Sequence, residues 1–228
     1  MNINDTTMIC IDKDKVDLNS SKSIIQKAIK RTIDIFAGLV GAIILIPLCL
    51  IVKIVNIISK DNDPLFFVQE RIGKNGKLFK MYKFRTMIVG AEEQLEELLR
   101  SNDSLRKEYE ENKKIKDDPR ITKCGGFLRK TSLDEFPQLI NVLKGDMTLV
   151  GPRPYLTREI KDMGEAYEKI ITLRPGLTGL WQISGRSDLT FDDRVKLDEE
   201  YYRTRSLVGD IKIFFKTIKI VLFRKGAL

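Results

Sequence analysis

The sequence contains no histidine. That excludes Ser-His-Asp and Cys-His nucleophilic sites, HExxH zinc sites and any histidine general base, so proton transfer must use carboxylates, Lys, Tyr or Cys. Cysteine is scarce and odd in number: Cys10, Cys49 and Cys124 are far apart. They form neither a disulfide framework nor a zinc pattern, which points to a reducing compartment. Any metal is therefore expected to be a hard ion on oxygen ligands, favouring Mg²⁺ over zinc. No GxxxxGK[ST] or GxGxxG run occurs, so neither a P-loop nor a Rossmann nucleotide site is supported. Basic-aromatic interleaving on one element is also missing, which argues against nucleic acid as a partner.

What the 228 residues do contain is an excess of basic charge. Lys plus Arg number 40 against 32 Asp plus Glu, a formal net charge of +8, which suits an anionic partner. There is also one long apolar run. Ile35 to Val52 carries no charge over 18 residues, about 27 Å as a straight helix against a hydrocarbon core of roughly 30 Å. Its depth in the chain, its length and the missing cleavage pattern disfavour a signal peptide. Pro47 inside the run is expected to kink or break the helix. Lys22, Lys27, Lys30 and Arg31 precede the run and Lys53 and Lys60 follow it, and positive flanks favour the cytoplasmic side. Physics alone leaves two readings open: a helix that re-enters on the same face, with Asp34 at headgroup depth, or a spanning helix kinked at Pro47.

Beyond the run, Leu65–Ile72 and Lys77–Phe84 flank Asn75-Gly76, a hairpin signal. Residues 91–116 are charge-rich with a narrow leucine stripe, predicting an exposed helix that breaks near Ser101–Asp103. Ser132 with Glu135 predicts a capping box opening a helix to Lys144. Residues 155–173 read as partly helical, 174–186 as a glycine-rich loop around a short strand, and 191–205 as a helix. In 210–224, Lys212, Lys216 and Lys219 share one face, and Phe214, Phe215, Ile218, Val221 and Leu222 another. That pattern fits either an interfacial helix or docking on the core.

Asp134 and Glu135 are the leading chemical candidates. Two carboxylates in a first helical turn, beside Arg129 and Lys130, can serve phosphoryl chemistry, because a carboxylate can attack phosphorus to give an acyl phosphate. Taken alone, cap and dipole roles are the simpler account of them. Arg85, Arg120, Arg153, Arg174 and Arg186 each sit beside Gly, Pro, Thr or Ser in compact turns, with Arg129 two residues before Thr131, and guanidinium forks match phosphate oxygens. Trp181 and Tyr155 suit either base stacking or packing.

Several motifs resemble one family. Lys30–Asp34, Phe66–Gly73, Lys83–Met87, Asp118–Thr122, Phe127–Leu139, Gly145–Pro154 and Leu173–Arg186 are similar to the bacterial sugar transferases. The likeness covers about residues 28–227, and the chain resembles the small monotopic phosphoglycosyl transferases without the N-terminal membrane helices of larger members. The resemblance implies transfer of a phosphosugar from a UDP-sugar to polyprenol (undecaprenyl) phosphate, with release of UMP. It implies Asp134 as the nucleophile, Glu135 as a metal ligand or proton carrier, and Mg²⁺ on Asp134 and Glu135. Lys83, Arg85, Arg129, Arg153 and Arg186 would bind phosphate, and Lys30, Arg31 and Pro47 would belong to the membrane anchor.

The resemblance also settles the open choice for the apolar run in favour of re-entry. The expected architecture is α+β and α-rich: a mobile polar segment 1–27, a re-entrant helix hairpin 28–60 broken near Pro47, and a cytosolic catalytic domain 61–228 with a small β-hairpin and interfacial helices. The expected location is the cytoplasmic leaflet of the bacterial inner membrane, with a homo-oligomer left open. A membrane-attached nucleotide-sugar hydrolase and a non-catalytic scaffold for glycan enzymes are the alternatives.

Overall fold

The computed structural model describes residues 21–112, 115–185 and 189–223. Expectations for residues 1–20 and for Arg186 lie outside them. The chain is helix-rich, with two small sheets. Helix α1 spans Ser21–Ile58 and is helical through Pro47, so the backbone assignment shows no break there. Proline removes one donor from an otherwise long hydrogen-bonded ladder.

Strands β1 (Phe66–Ile72) and β2 (Leu78–Phe84) form the expected antiparallel hairpin. Its turn places Asn75 at φ 56° and Gly76 at φ 76°, left-handed geometry that asparagine and glycine accept at little steric cost. Helices α2 (Ala91–Ser101) and α3 (Asp103–Asn112) divide at Asn102 as expected.

The next segment departs from expectation. Helix α4 (Lys123–Thr131) ends on Ser132, which adopts φ 57°. A 3₁₀ turn over Leu133–Glu135 follows, and α5 starts only at Gln138 and ends at Lys144. The predicted capping box is absent, because a left-handed Ser132 closes α4 instead of opening a helix, and its side chain does not cap the turn.

Strand β3 (Thr148–Val150) pairs in parallel with β4 (Gly176–Thr178). Between them lie the short helices α6 (Ile160–Met163) and α7 (Ala166–Ile170). Helix α8 (Leu180–Ser184) occupies part of the predicted loop, and α9 (Phe191–Thr204) and α10 (Leu207–Leu222) complete the body.

The apolar face of α1 is held to this body along its length. Gly38 and Gly41 let the helix approach α5: a Cβ at Gly41 would lie 2.3 Å from Leu139 Cδ1, and one at Gly38 would lie 3.2 Å from the Leu143 Cα. Farther along, Leu45 and Val52 share a buried cluster with Phe84 and Leu128. Asp34 is buried against the body. Its Oδ1 accepts from Thr148 Oγ1 at 3.0 Å and Leu149 N at 2.9 Å, because burying a carboxylate requires such donors. Lys30 donates to Val150 O at 2.8 Å and pairs with Asp210. Arg31 donates to the Val142 and Leu143 carbonyls at 2.7 and 2.8 Å, where the C-terminal end of α5 favours a cation.

Helix α10 has three faces. Ile213 is buried and Phe214 packs on the core. Val208, Ile211, Phe215 and Ile218 form an exposed apolar stripe, and the three lysines lie beside it. The sequence had grouped Phe214 with Phe215, but adjacent helical residues point about 100° apart, so the body takes one ring and leaves the other outside.

Candidate active site

The carboxylate pair is positioned by the close approach of α4 to the end of β2. Thr122 caps α4 by accepting from Gly125 N at 2.9 Å. Gly125 rests directly on the Thr86 backbone, where an added Cβ would lie 2.0 Å from Thr86 O. Only glycine permits that distance. The same contact delivers Arg129, whose Nε donates to Thr86 Oγ1 at 2.9 Å. The left-handed Ser132 then turns the chain back, so that the 3₁₀ turn carries Asp134 and Glu135 toward β2. There Lys83 Nζ donates to Glu135 Oε1 at 2.8 Å.

All four side chains line one cleft of about 700 Å³, large enough for a substrate of nucleotide size. Burial raises the Asp134 carboxyl to about 6, and the neighbouring Glu135 charge adds to the rise, while Lys83 and Arg129 oppose it. Arg129 is itself lowered by burial, with Asp134 acting against that. A carboxylate that loses solvent but keeps two nearby cations is ionised near neutrality and poorly hydrated, the state that suits a nucleophile.

The cleft also gathers Arg153, although by a different route. Its backbone N donates to Asp198 Oδ2 at 2.8 Å, and the Tyr155 hydroxyl donates to the same oxygen at 2.8 Å. Complete burial raises the Asp198 carboxyl to about 7, against the pull of these donors. The Arg153 guanidinium lies 5.9 Å from the centre of the Trp181 ring and 3.4 Å from Glu159 Oε1.

Arg85 lines the cleft, but its fork is engaged by the protein. Nε donates to Pro64 O at 2.7 Å, Nη1 to Met87 O at 3.0 Å and Nη2 to Asp61 at 2.6 Å. It thus ties the chain leaving α1 to the end of β2. Arg120, also at the cleft, is paired with Asp118, its Nε 2.8 Å from Oδ1. Arg174 is not among the lining residues. Lys30 and Arg31 act within the body, as described above.

Cleft residues that the sequence reading did not single out include Arg71, Arg158, Arg194, Glu159 and Gln182. Arg71 lay inside the quoted Phe66–Gly73 motif, and strand alternation alone would have placed it on the same sheet face as Lys83. Arg194 lies within α9 and carried no local signal.

Among the described residues, no group of three or more Cys, Asp or Glu side chains is arranged to hold a metal ion. Asp134 and Glu135 are adjacent carboxylates that line the cleft with Lys83 and Arg129. Two carboxylates are a donor set that fits Mg²⁺ when substrate phosphates and water complete its shell.

The chain is similar to several known proteins. A model of the bacterial sugar transferase family matches residues 25–224. The chain is 46% identical over 202 residues to the undecaprenyl-phosphate galactose phosphotransferase of Salmonella typhimurium, covering 89% of this chain and 42% of that protein. It is 46% identical over 209 residues to an uncharacterized sugar transferase of Haemophilus influenzae, covering 92% and 44%. With the exopolysaccharide production protein ExoY of Sinorhizobium fredii it shares 43% identity over 198 residues, 87% of each chain. The chain thus spans less than half the length of the first two relatives and most of the third. It belongs to the bacterial sugar transferase family.

Proposed function

We propose that the protein transfers a phosphosugar from a UDP-sugar to polyprenol phosphate, as an early membrane step in polysaccharide or glycoconjugate assembly. The names of relatives support the acceptor and the setting: an undecaprenyl-phosphate galactose phosphotransferase, a UDP-glucose:undecaprenyl-phosphate glucose-1-phosphate transferase and an exopolysaccharide production protein. The observation that carries the reading is the buried Asp134 carboxyl, flanked by Glu135, Lys83 and Arg129 inside the cleft.

In the first half-reaction an Asp134 carboxylate oxygen attacks the β-phosphorus. The bond from that phosphorus to the bridging oxygen breaks, and the oxygen leaves with UMP. Lys83 and Arg129 face the charge that develops on the phosphoryl oxygens, and positioning with charge neutralisation is most of what phosphoryl transfer requires. In the second half-reaction a lipid phosphate oxygen attacks the same phosphorus. The acyl phosphate bond breaks and the Asp134 carboxylate is restored. Mg²⁺, held by Asp134 and Glu135, would supply further neutralisation of the diphosphate.

The anchor is read as re-entrant, with the catalytic body at the cytoplasmic face of the inner membrane. Helix α1 is long and apolar enough to cross a membrane by length and composition. Yet both flanks of its apolar run meet the same body, through Asp34 on β3 and through Asp61 on Arg85. Asp34 and Asn56 would lie about 33 Å apart on a straight helix, more than a hydrocarbon core of roughly 30 Å. A body on one side of the bilayer can meet both flanks if the run bends back within the membrane, and Pro47 supplies a site for the bend. The exposed stripe of α10 beside its lysines suits the same interface.

The test is intact-protein mass spectrometry with donor and no lipid. The wild-type chain gains one phosphosugar mass and releases UMP, and Asp134→Asn does neither. Turnover by Asp134→Asn would remove Asp134 as nucleophile. Free sugar phosphate formed without lipid would favour a hydrolase.

A further inference from the structure

The cleft has two cationic ends, and the carboxylate pair accounts for one of them. Lys83 is matched by Glu135, and Arg129 faces Asp134. At the other end, Arg71 and Arg153 lie close enough to repel one another, while burial lowers Arg71 to about 10. Glu159 is the carboxylate bonded to Arg153, and it also accepts from Leu156 N at 2.8 Å. Arg71 donates to Pro154 O at 3.0 Å and to Gln69, both neutral groups. The Nε atoms of Arg71 and Arg153 are buried without a hydrogen-bond partner, and so is the indole Nε1 of Trp181. Two guanidiniums that share one carboxylate, each with a buried unused donor, constitute a site short of an anion.

The hairpin register indicates which anion. Phe67 pairs with Lys83 and Arg71 with Phe79, so Lys83 and Arg71 project from one sheet face. They stand four strand positions apart, about 13 Å between backbones, and both line the cleft. The Lys83 end adjoins Phe84, which packs on the membrane helix residues Leu45 and Val52. The Arg71 end is the far end of the strand, and the Trp181 ring lies beside Arg153 there. On the transferase reading, a lipid phosphate would arrive where the apolar run packs, at Leu45 and Val52. A water-soluble nucleotide, with a base to stack and a phosphate to neutralise, fits the other end.

We propose that Arg71, together with Arg153, binds the phosphate of the nucleoside monophosphate half of the donor, next to a base platform at Trp181. This assignment rests on the transferase reading and adds Arg71 as a specificity residue for it. The arginines would hold the α-phosphate in the donor and the same phosphate in the departing UMP.

The experiment compares UMP with uridine on the purified full-length protein in lipid nanodiscs. Wild type binds UMP more tightly than uridine. Arg71→Gln lowers UMP affinity by about tenfold or more and leaves uridine affinity unchanged. Arg153→Gln, the second variant, does the same, and Arg71→Lys recovers part of the loss because it keeps a charge without a fork. Equal losses for UMP and uridine, or unchanged UMP affinity in both glutamine variants, overturn the proposal. Selective loss of farnesyl phosphate binding with UMP retained also overturns it, by moving the site to the lipid. Adduct formation in the wild type separates the levels. An adduct with unchanged UMP affinity in the variants rejects Arg71 alone, whereas neither adduct nor UMP binding in the wild type removes the transferase reading as well.

Discussion

Lys83 Nζ lies 2.8 Å from Glu135 Oε1, and its charge also acts on the adjacent Asp134, whose raised carboxyl it holds down. One lysine on β2 thus both pairs with the second carboxylate and opposes the burial that raises the first. In the proposed reaction Asp134 must be ionised to attack phosphorus, so adduct formation is expected to rise with pH through about 6. Lys83→Gln removes an opposing cation and moves that rise to higher pH, whereas Lys83→Arg keeps it near the wild-type position. Adduct rates from quenched mass spectrometry between pH 5 and 8 check this; an unmoved rise in Lys83→Gln would contradict it.

The same buried acid costs the fold stability. Its folded pKa, about 6, stands above the ordinary aspartate value of 3.8. Between those values the folded chain holds more protons than the unfolded one, so this contribution falls as pH rises and is fully lost above about 6. Asp134→Asn should therefore be more stable than wild type at pH 7.5, by on the order of 1–3 kcal/mol, and should lose that advantage near pH 4. Thermal melts with chelator present, so that metal does not offset the charge, decide the sign. A less stable Asp134→Asn at pH 7.5 would show that the carboxylate is solvated.

Much of this arrangement could be read from local sequence, and the rest depends on tertiary contact. The hairpin was legible because Asn75-Gly76 accepts left-handed backbone between two alternating runs. The Asp134-Glu135 pair was legible as chemistry. Its setting was not, because the residues around Ser132 also fit a capping box, and what overrides that pattern is the seating of Gly125 on Thr86, 39 positions earlier in the chain. Arg85 was read as a phosphate ligand from its place in a turn. Its use against Asp61, Pro64 and Met87 depends on where α1 ends in space. The partners of Asp34, Thr148 and Leu149, were hidden for the same reason: they are more than a hundred residues away.

Membrane helix and active site are joined through glycine. At Gly38 an added Cβ meets the Leu143 backbone at 3.2 Å, and backbone cannot rotate aside. Gly38→Val should push α1 away from α5 and destabilise the protein by about 1–3 kcal/mol. Substitution of the exposed neighbour Leu39 by valine should leave stability near wild type. Melting temperatures of the two variants in one detergent provide the comparison, and equal values would mean that α1 does not rest on α5 in solution.

If both flanks of α1 meet one body, both must lie on one side of the bilayer. Single cysteines at positions 20 and 62, in a chain whose Cys10, Cys49 and Cys124 are replaced by serine, should both react with a membrane-impermeant thiol reagent only when the cytoplasmic face is open. Labelling from opposite faces would require a spanning helix and would separate Asp34 or Asp61 from its partner.

The exposed stripe on α10 offers a test that separates the two half-reactions. Phe215 and Ile218 face outward while Ile213 is buried, so Phe215→Glu with Ile218→Glu leaves the core contacts in place. Placing carboxylates where apolar groups would enter the headgroup boundary opposes insertion. The donor is soluble and needs no membrane, so adduct formation on Asp134 should persist at the wild-type rate. The acceptor phosphate lies at the interface, and reaching it depends on the depth and tilt of the body, so transfer from adduct to lipid should fall roughly tenfold, equivalent to about 1.4 kcal/mol of lost positioning. Single-turnover chase of preformed adduct with a polyprenol phosphate in vesicles measures that step directly. Equal loss in both steps would instead assign the stripe to folding, and no loss in either would leave α1 as sufficient to hold the site at the lipid surface.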